Sequence, residues 1–307
     1  MQFERNLMER KDHIDLFGGS VLLIFAMLMG LNQVVIKIVN DGIQPVFQAG
    51  LRSLFAFFVV WGWALWRGKK ISVTDGTFRA GILTGCLFSI EFIFLYLALD
   101  MTTVARNSIF WYSMPLWMAI GAHFLIAGER LNGQRILGLI ISIAGLVWAF
   151  SDRGLDGMSG NWVGDLMSIL GSICWAGIGL SVRVSKLKET SIEMQLLYNL
   201  AVSAIILLPF SLFFGDWIRD LQTVHIYMLT FQILVVVAGG FLVWFWVLTI
   251  YPASDMASFG FLTPAFGVIF SWLFLDEAIS FTIVGALVLI SIGIVLINYK
   301  PKQPKPV

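Results

Sequence analysis

Apolar residues dominate ten long runs of the chain, and short polar or Gly- and Pro-containing connections separate one run from the next. A helix that crosses a bilayer needs about 20 mainly apolar residues, and most of the runs approach or reach this length. The predicted spans are residues 16–38, 45–66, 78–99, 103–127, 135–150, 162–184, 192–214, 225–250, 255–275 and 281–299. The pattern therefore predicts an all-α membrane protein with ten transmembrane helices and no inserted soluble domain.

The composition excludes a water-soluble protein. Of the 307 residues, 58% are hydrophobic and only 13% are charged, whereas ordinary globular proteins have about 25% charged residues. The formal net charge is +1, which gives no basis for nucleic-acid binding. The two cysteines, Cys86 and Cys174, lie inside apolar runs, so we expect packing residues rather than a disulfide or a metal pair.

Basic residues are distributed unequally between the two sides of the predicted helices. Fifteen of the 20 Lys and Arg residues fall on the side that carries both termini, and such loops are typically cytoplasmic. The basic residues predicted on the opposite, outer side are Lys37, Arg106, Arg153 and Arg219. We therefore expect a bacterial inner-membrane protein with a cytoplasmic N-terminal segment (1–15) and a basic cytoplasmic tail (300–307) near anionic lipid.

Two stretches of the chain resemble each other. Met-Pro at Pro115 precedes Gly-Glu at Glu129 by 14 residues, and Thr-Pro at Pro264 precedes Asp-Glu at Glu277 by 13. Each copy contains five predicted spans, and because five is odd, the second copy must enter the membrane from the opposite side. Inverted repeats of this kind are typical of secondary transporters, which bind substrate near the bilayer midplane between the two halves. The predicted repeats are residues 16–150 and 162–299.

These motifs resemble the EamA-type transporters of the drug/metabolite transporter superfamily. The resemblance is carried by the proline in the fourth and ninth spans, the following Gly-Glu or Asp-Glu pair, and the stretch Ala-Arg-Asn-Ser-Ile-Phe-Trp-Tyr-Ser-Met-Pro at 105–115. It covers nearly the whole chain and implies ten helices, a central cavity and transport of small metabolites or amino acids, most often export. The chain departs from the family at Asp276, where glycine is common.

One carboxylate lies in the middle of a predicted span. Glu91 is surrounded in sequence by Leu, Phe and Ile residues, and a charge at the bilayer centre costs roughly 2.5–3.5 kcal/mol on insertion scales. Such a residue is expected to face a cavity, a partner or a pathway. Glu91 is therefore a candidate for substrate contact or for proton coupling. The alternative is a structural hydrogen bond or ion pair with Arg52, Asn32 or Gln33.

Other polar residues within spans are further candidates. Arg52, in the second span, could bind a substrate carboxylate or could be a structural element, since a buried guanidinium needs a partner. Asn32 and Gln33, in the first span, could line the cavity or could join helices by hydrogen bonds.

Aromatic residues are abundant, with 12 Trp and 26 Phe, and most are expected to face lipid or the membrane interfaces. Trp111 and Tyr112 are the better candidates for a binding site because Pro115 frees backbone groups next to them. Further candidates are Tyr96, Trp175, Trp244 and Phe259. An aromatic-lined cavity favours neutral or zwitterionic organic molecules, including aromatic amino acids, and can also hold organic cations by cation–π contact.

The sequence therefore predicts a secondary transporter that moves small organic metabolites, with amino acids favoured, by alternating access. We expect no catalytic residue, cofactor or metal site, and the sequence contains no phosphate-binding loop for ATP hydrolysis. The expected partners are the substrate, membrane lipid and a proton as the candidate coupling ion, and the chain is expected to act as a monomer. The alternatives are efflux of drugs or organic cations, a membrane-embedded lipid-processing enzyme, and a channel or scaffold.

Overall fold

The computed structural model describes residues 14–69, 71–151, 161–240, 243, 247, 250–251 and 262–298. Within these residues every regular element is helical, and the one isolated β-bridge joins Ile43 to Ile218. The expectation of an all-α fold is confirmed for this part of the chain.

For description, the chain up to Ser151 is called the first half and the chain from Trp162 onward the second half. The helices of the first half are α1 (Leu16–Gly42), α2 (Pro45–Trp66), α3 (Phe78–Met101), α4 (Val104–Trp111), α5 (Met114–Leu125) and α6 (Gly133–Ser151). Those of the second half are α7 (Trp162–Val184), α8 (Ile192–Phe210), α9 (Thr223–Phe231), α10 (Leu262–Leu275) and α11 (Phe281–Asn298). Two short 3₁₀ helices (Lys186–Glu189 and Ser211–Phe214) and a π-helical stretch (Gln232–Gly239) complete the described elements.

Seven helices of the described residues are long and apolar enough to cross a membrane. They are α1, α2, α3, α6, α7, α8 with its following 3₁₀ turn, and α11. Seven of the ten predicted spans coincide with these helices. The eighth and ninth predicted spans correspond in part to the shorter apolar segments Thr223–Gly239 and Leu262–Leu275.

The fourth predicted span is broken, and the prediction of one continuous helix over 103–127 is wrong. Helix α4 ends at Trp111, and α5 begins at Met114 after a two-residue turn. Pro115, at the start of α5, has no N–H with which to continue the ladder of helical hydrogen bonds. The Ser113 hydroxyl compensates at the break, since it donates to the Phe110 carbonyl oxygen at 2.6 Å.

The principal helix contacts join the two halves. Helix α3 packs on α7, α2 on α8, α6 on α11 and α1 on α10. Much of the buried core therefore lies between the halves.

The turn that differs from the family pattern takes the backbone conformation of glycine. Asp276 has a φ of 53°, and Gly128, which precedes the corresponding glutamate of the first half, has a φ of 87°. Aspartate tolerates this left-handed region better than most residues. The substitution therefore preserves the turn, and Glu277 keeps the position that follows it.

Candidate functional site

A line of polar side chains crosses three helical elements. The Arg52 guanidinium, on α2, donates from Nη1 to the Tyr96 hydroxyl on α3 at 3.0 Å. The Tyr96 hydroxyl in turn donates to Oε1 of Gln232, at 3.3 Å, at the start of the π-helical stretch. All three side chains are buried. Because Gln232 belongs to the second half, this line connects the two halves.

Glu91 lies near the middle of α3 and is only 3% exposed. Its Oε2 atom has no hydrogen-bond partner among the described residues. The carboxylate interacts electrostatically with Arg52 on α2 and with the Cys174 thiol on α7. Neither Asn32 nor Gln33 is hydrogen-bonded to it in the described part of the chain, so the structure gives no support to a structural lock with those residues.

Further buried polar atoms lie on the same helices. The guanidinium of Arg52 is stacked over the Phe92 ring at 4.8 Å, and its Nε has no partner among the described residues. One turn earlier on α2, both amide atoms of Gln48 are likewise without a described partner, as is Nε2 of Gln232. Buried polar groups are nearly always hydrogen-bonded in proteins. Several such groups in one region are typical of a site that binds a polar ligand or water.

A second polar group surrounds Gln33 on α1. Its Oε1 accepts hydrogen bonds from Asn107 Nδ2 and from the Ser108 hydroxyl, both at 2.9 Å. Asn107 Oδ1 accepts from the Ser168 hydroxyl of the second half at 2.7 Å. Nε2 of Gln33 and Oδ1 of the adjacent Asn32 have no partner among the residues described. The Gln33 oxygen is thus engaged in contacts within the protein, and through Asn107 these contacts extend to the second half.

Three predicted aromatic residues lie together. Trp111, the last residue of α4, stacks on Trp175 of α7 with ring centroids 5.8 Å apart, and Tyr112 meets Trp175 edge-on at 5.9 Å. Trp111 shares an apolar cluster with Phe92 and Tyr96, and this cluster links the aromatic group to the Arg52 line. The helix break at Tyr112 is therefore next to the site, as expected from the position of Pro115.

The structure brings most of the predicted site residues into one region between the halves. Arg52, Tyr96 and Glu91 form one part, and Trp111, Tyr112 and Trp175 form a neighbouring part. The remaining candidates Trp244 and Phe259 lie outside the described residues.

Arg106, one of the basic residues predicted on the outer side, is buried in an ion pair rather than exposed. Arg106 lies in α4, is 6% exposed and donates from Nε to both oxygens of Asp165 at 3.0 and 3.1 Å. The Thr102 hydroxyl also donates to Asp165, at 2.8 Å. The missed signal was Asp165 itself, which is an acidic residue inside the predicted span 162–184 and could have been flagged for the same reason as Glu91.

Polar contacts also join the halves at the end of the molecule predicted to face outward. Arg219 pairs with Asp100 at 2.6 Å, and this hydrogen bond raises the pKa of the Arg219 guanidinium above its usual value. The Glu277 carboxylate accepts from the first backbone N–H groups of α4, those of Val104 and Ala105, at 2.9 and 3.1 Å. At the opposite end, Arg183 pairs with Glu129. Ion pairs between the halves are therefore present at both ends.

Comparison with known proteins identifies the class. Residues 16–151 and 162–299 each match the EamA-like transporter family, which confirms the resemblance seen in the sequence. The chain is 24% identical over 281 residues to the "Uncharacterized transporter YoaV" of Bacillus subtilis, with 89% of this chain and 94% of that protein covered. It is 25% identical over 286 residues to the "Probable amino-acid metabolite efflux pump" of Escherichia coli, with 89% and 90% covered.

A protein of known crystal structure has the same fold. It superimposes with a TM-score of 0.65 at 16% sequence identity and covers 90% of this chain and 95% of its own. Together with the apolar helices, the family match shows an integral membrane transporter.

Proposed function

Because the chain belongs to the EamA-like transporter family, we propose that it is a secondary transporter that exports small organic metabolites, with amino acids favoured, by alternating access. It acts in the bacterial inner membrane with both termini in the cytoplasm. Residues 16–150 and 162–299 form two inverted five-helix halves that move relative to each other, and one chain is a complete transporter.

The observation that carries this proposal is the buried polar region between the halves. Arg52 and Glu91 lie inside helices that are apolar along most of their length, and each has an atom without a hydrogen-bond partner among the described residues. Ionisable groups within membrane helices typically mark substrate or ion pathways. An anchor or scaffold has no need for such groups, whereas a transporter that binds a polar molecule at mid-membrane does.

The ion pairs at the two ends support alternating access. Arg219 with Asp100 and Arg183 with Glu129 each connect one half to the other. Both pairs are partly exposed, and exposed pairs contribute only about 0–1 kcal/mol. Motion of the halves can therefore break one pair and keep the other at small cost, which is what access from one side at a time requires.

Glu91 is the candidate for proton coupling. Among the described residues, the charged or titratable groups that interact with it electrostatically are Arg52 on α2 and Cys174 on α7. A proton that binds this carboxylate when the substrate leaves would link proton entry to export.

Efflux of organic cations is the second candidate function. The aromatic group of Trp111, Tyr112 and Trp175 could hold a cation by cation–π contact, and Glu91 would neutralise its charge. The amino-acid reading has the additional support of Arg52, whose positive charge repels a cation and attracts a carboxylate. The name of the E. coli relative also favours amino-acid metabolites.

Counterflow in proteoliposomes tests the proposal. Vesicles loaded with unlabelled L-phenylalanine or L-leucine are expected to accumulate the labelled compound transiently, and the flux is expected to saturate. Labelled tetraphenylphosphonium tests the cation alternative in the same vesicles. Transport by this mechanism would be contradicted if, for every compound, the flux rose linearly with concentration or equalled the flux into empty liposomes.

The Glu91→Gln variant tests coupling in the same preparation. Counterflow is expected to continue, while acceleration of uptake by an imposed pH gradient is lost. Glu189→Gln, which removes an exposed carboxylate from the short 3₁₀ helix, is the matched control and is expected to retain the acceleration. An unchanged response to the pH gradient in Glu91→Gln would contradict coupling at this residue.

A further inference from the structure

We propose that Arg52 and Glu91 form a two-point site for a zwitterion, with the substrate carboxylate on Arg52 and its ammonium group on Glu91. This inference rests on the proposed transport function and names the substrate class, which is an α-amino acid with a large apolar side chain.

The described residues include two buried pairs of opposite charge, which differ in how their members are joined. Arg106 and Asp165 are in direct contact through several hydrogen bonds, and the Ala149 carbonyl oxygen accepts a further one from Arg106 at 3.1 Å. Such a closed pair is a structural element. Arg52 lies over the ring of Phe92, the residue next to Glu91, but no hydrogen bond or ion pair joins Arg52 to Glu91 among the described contacts.

An open pair of this kind is costly unless something joins the two charges. Each charge is almost fully removed from water, with 7% of Arg52 and 3% of Glu91 exposed. Burial of a charge without a direct partner costs several kcal/mol per ion. A molecule with a negative and a positive group a few ångströms apart would satisfy both residues together, and the α-carbon of an amino acid carries such a pair of groups.

The Arg52 guanidinium is held in position by two neighbouring side chains. Tyr96 accepts from Nη1, and the Phe92 ring lies beneath the guanidinium plane. These two contacts fix the position of the group without neutralising its charge. The Nε atom, which has no partner among the residues described, belongs to an edge of the fork that can bind a carboxylate with two parallel hydrogen bonds.

The neutral polar groups and the apolar side chains of this region also fit an amino acid. The amides of Gln48 and Gln232 have atoms without described partners and can supply further hydrogen bonds to the polar end of the ligand. The Phe92 ring continues into the cluster that contains Trp111, against which Trp175 packs. An apolar or aromatic side chain of the substrate would lie along this wall.

Discrimination follows from the two charges. An amine without a carboxylate leaves Arg52 unpaired, and a carboxylic acid without an ammonium group leaves Glu91 unpaired. A hydrogen bond to a charged group contributes about 1.5–3 kcal/mol, which corresponds to a loss of roughly tenfold to 150-fold for either analogue.

Matched analogues in wild-type proteoliposomes provide the test that needs no mutation. The first series is L-phenylalanine, phenethylamine and 3-phenylpropionate, and the second is L-leucine, isopentylamine and 4-methylpentanoate. Each compound is used to compete with counterflow of the labelled amino acid of its series. The zwitterion is expected to compete at least about tenfold better than both of its analogues. An amine or an acid that competes equally well would overturn the inference.

Reciprocal variants provide the second test. Arg52→Gln is expected to raise the KM for L-phenylalanine at least about tenfold and not to weaken competition by phenethylamine, because the variant no longer repels a cation. Glu91→Gln is expected to raise the same KM and not to weaken competition by 3-phenylpropionate, because the variant no longer repels an anion. The matched controls, Arg79→Gln and Glu189→Gln, remove exposed charges and are expected to behave as wild type. If both variants weakened competition by every analogue to the same extent, separate binding of the carboxylate and the ammonium group would be contradicted.

The outcomes separate this inference from the proposed function. Saturable counterflow of phenethylamine or tetraphenylphosphonium without amino-acid counterflow would leave a transporter in place and overturn the zwitterion site. Absence of saturable counterflow for every compound would overturn both.

Discussion

Arg106 of α4 and Asp165 of α7 form a buried ion pair that joins the two halves of the protein near the start of α4. Asp165 is fully buried and Arg106 nearly so. The guanidinium and the Thr102 hydroxyl together supply the hydrogen bonds that the carboxylate needs. The pair fixes the short helix α4, whose last residue, Trp111, forms part of the candidate site.

This pair predicts a non-additive effect on stability. Arg106→Gln or Asp165→Asn alone leaves one buried charge without its partner, which costs about 3–5 kcal/mol. The double variant removes both charges and is expected to recover part of the loss. Thermal unfolding of the four proteins in nanodiscs checks this, and a double variant whose loss equals the sum of the single losses would contradict direct coupling.

We expect the Glu277 carboxylate to stabilise the N-terminus of α4. Its two carboxylate oxygens accept from the N–H groups of Val104 and Ala105, and a negative charge at a helix N-terminus is favourable. Glu277→Ala is expected to lower the free energy of unfolding by about 1–2 kcal/mol, and Glu277→Gln by less because its amide oxygen still accepts. Glu189→Ala, on the exposed 3₁₀ helix, is the control. Equal melting temperatures for Glu277→Ala and wild type would show that the cap contributes nothing.

The backbone conformation of Asp276 predicts how substitutions at this position change the stability of the protein. Its φ of 53° costs roughly 1–2 kcal/mol for an ordinary residue. Asp276→Val is therefore expected to destabilise the protein by about that amount, whereas Asp276→Gly should leave the melting temperature unchanged or raise it. A larger loss for glycine than for valine would mean that the aspartate side chain, rather than the backbone, determines this position.

We expect Tyr96 to affect substrate affinity indirectly, by holding Arg52 in position. Its hydroxyl accepts from Arg52 and donates to Gln232, so Tyr96→Phe frees the guanidinium to move. The KM for L-phenylalanine is expected to rise about threefold to tenfold, while the maximal rate changes little. Tyr227→Phe, on a residue that is 70% exposed, is the control. If Tyr96→Phe instead lowered the maximal rate by the same factor and left the KM unchanged, a positioning role for Tyr96 would be contradicted.

The sequence was sufficient for the long helices because their signal is local. An apolar run of about 20 residues determines a span by itself, and α1, α2 and α3 lie where the runs predicted them. The break in the fourth span was not predicted. Pro115 pointed to irregular backbone there, but the turn at Tyr112 and Ser113 also depends on contacts such as that of the Ser113 hydroxyl with Ser172 of the second half, at 3.0 Å.

The candidate site likewise contains residues that a local sequence signal identifies and contacts that it does not. Glu91 and Arg52 could be chosen from sequence because a charge in an apolar span is costly wherever it lies. The link from Arg52 through Tyr96 to Gln232 could not be predicted, since Tyr96 and Gln232 are 136 positions apart. The pairing of Arg106 with Asp165 could not be predicted for the same reason, because the two residues are 59 positions apart.

Access to the centre of the protein from both sides of the membrane is the central claim, and Cys174 reports on it. Its thiol is partly buried on α7, which packs against the helix α3 that carries Glu91, and Cys86→Ser leaves Cys174 as the only cysteine of the chain. A control protein carries Ile173→Cys, on an exposed apolar position of the same helix, in a background without the native cysteines. It is expected to remain unlabelled by a membrane-impermeant maleimide because that position faces lipid.

The decisive measurement is the rate at which this maleimide labels Cys174 in sealed right-side-out and inside-out vesicles. Alternating access predicts labelling from both sides and slower labelling when L-phenylalanine or L-leucine is present. Labelling from one side alone, at a rate that neither amino acid changes, would contradict the account.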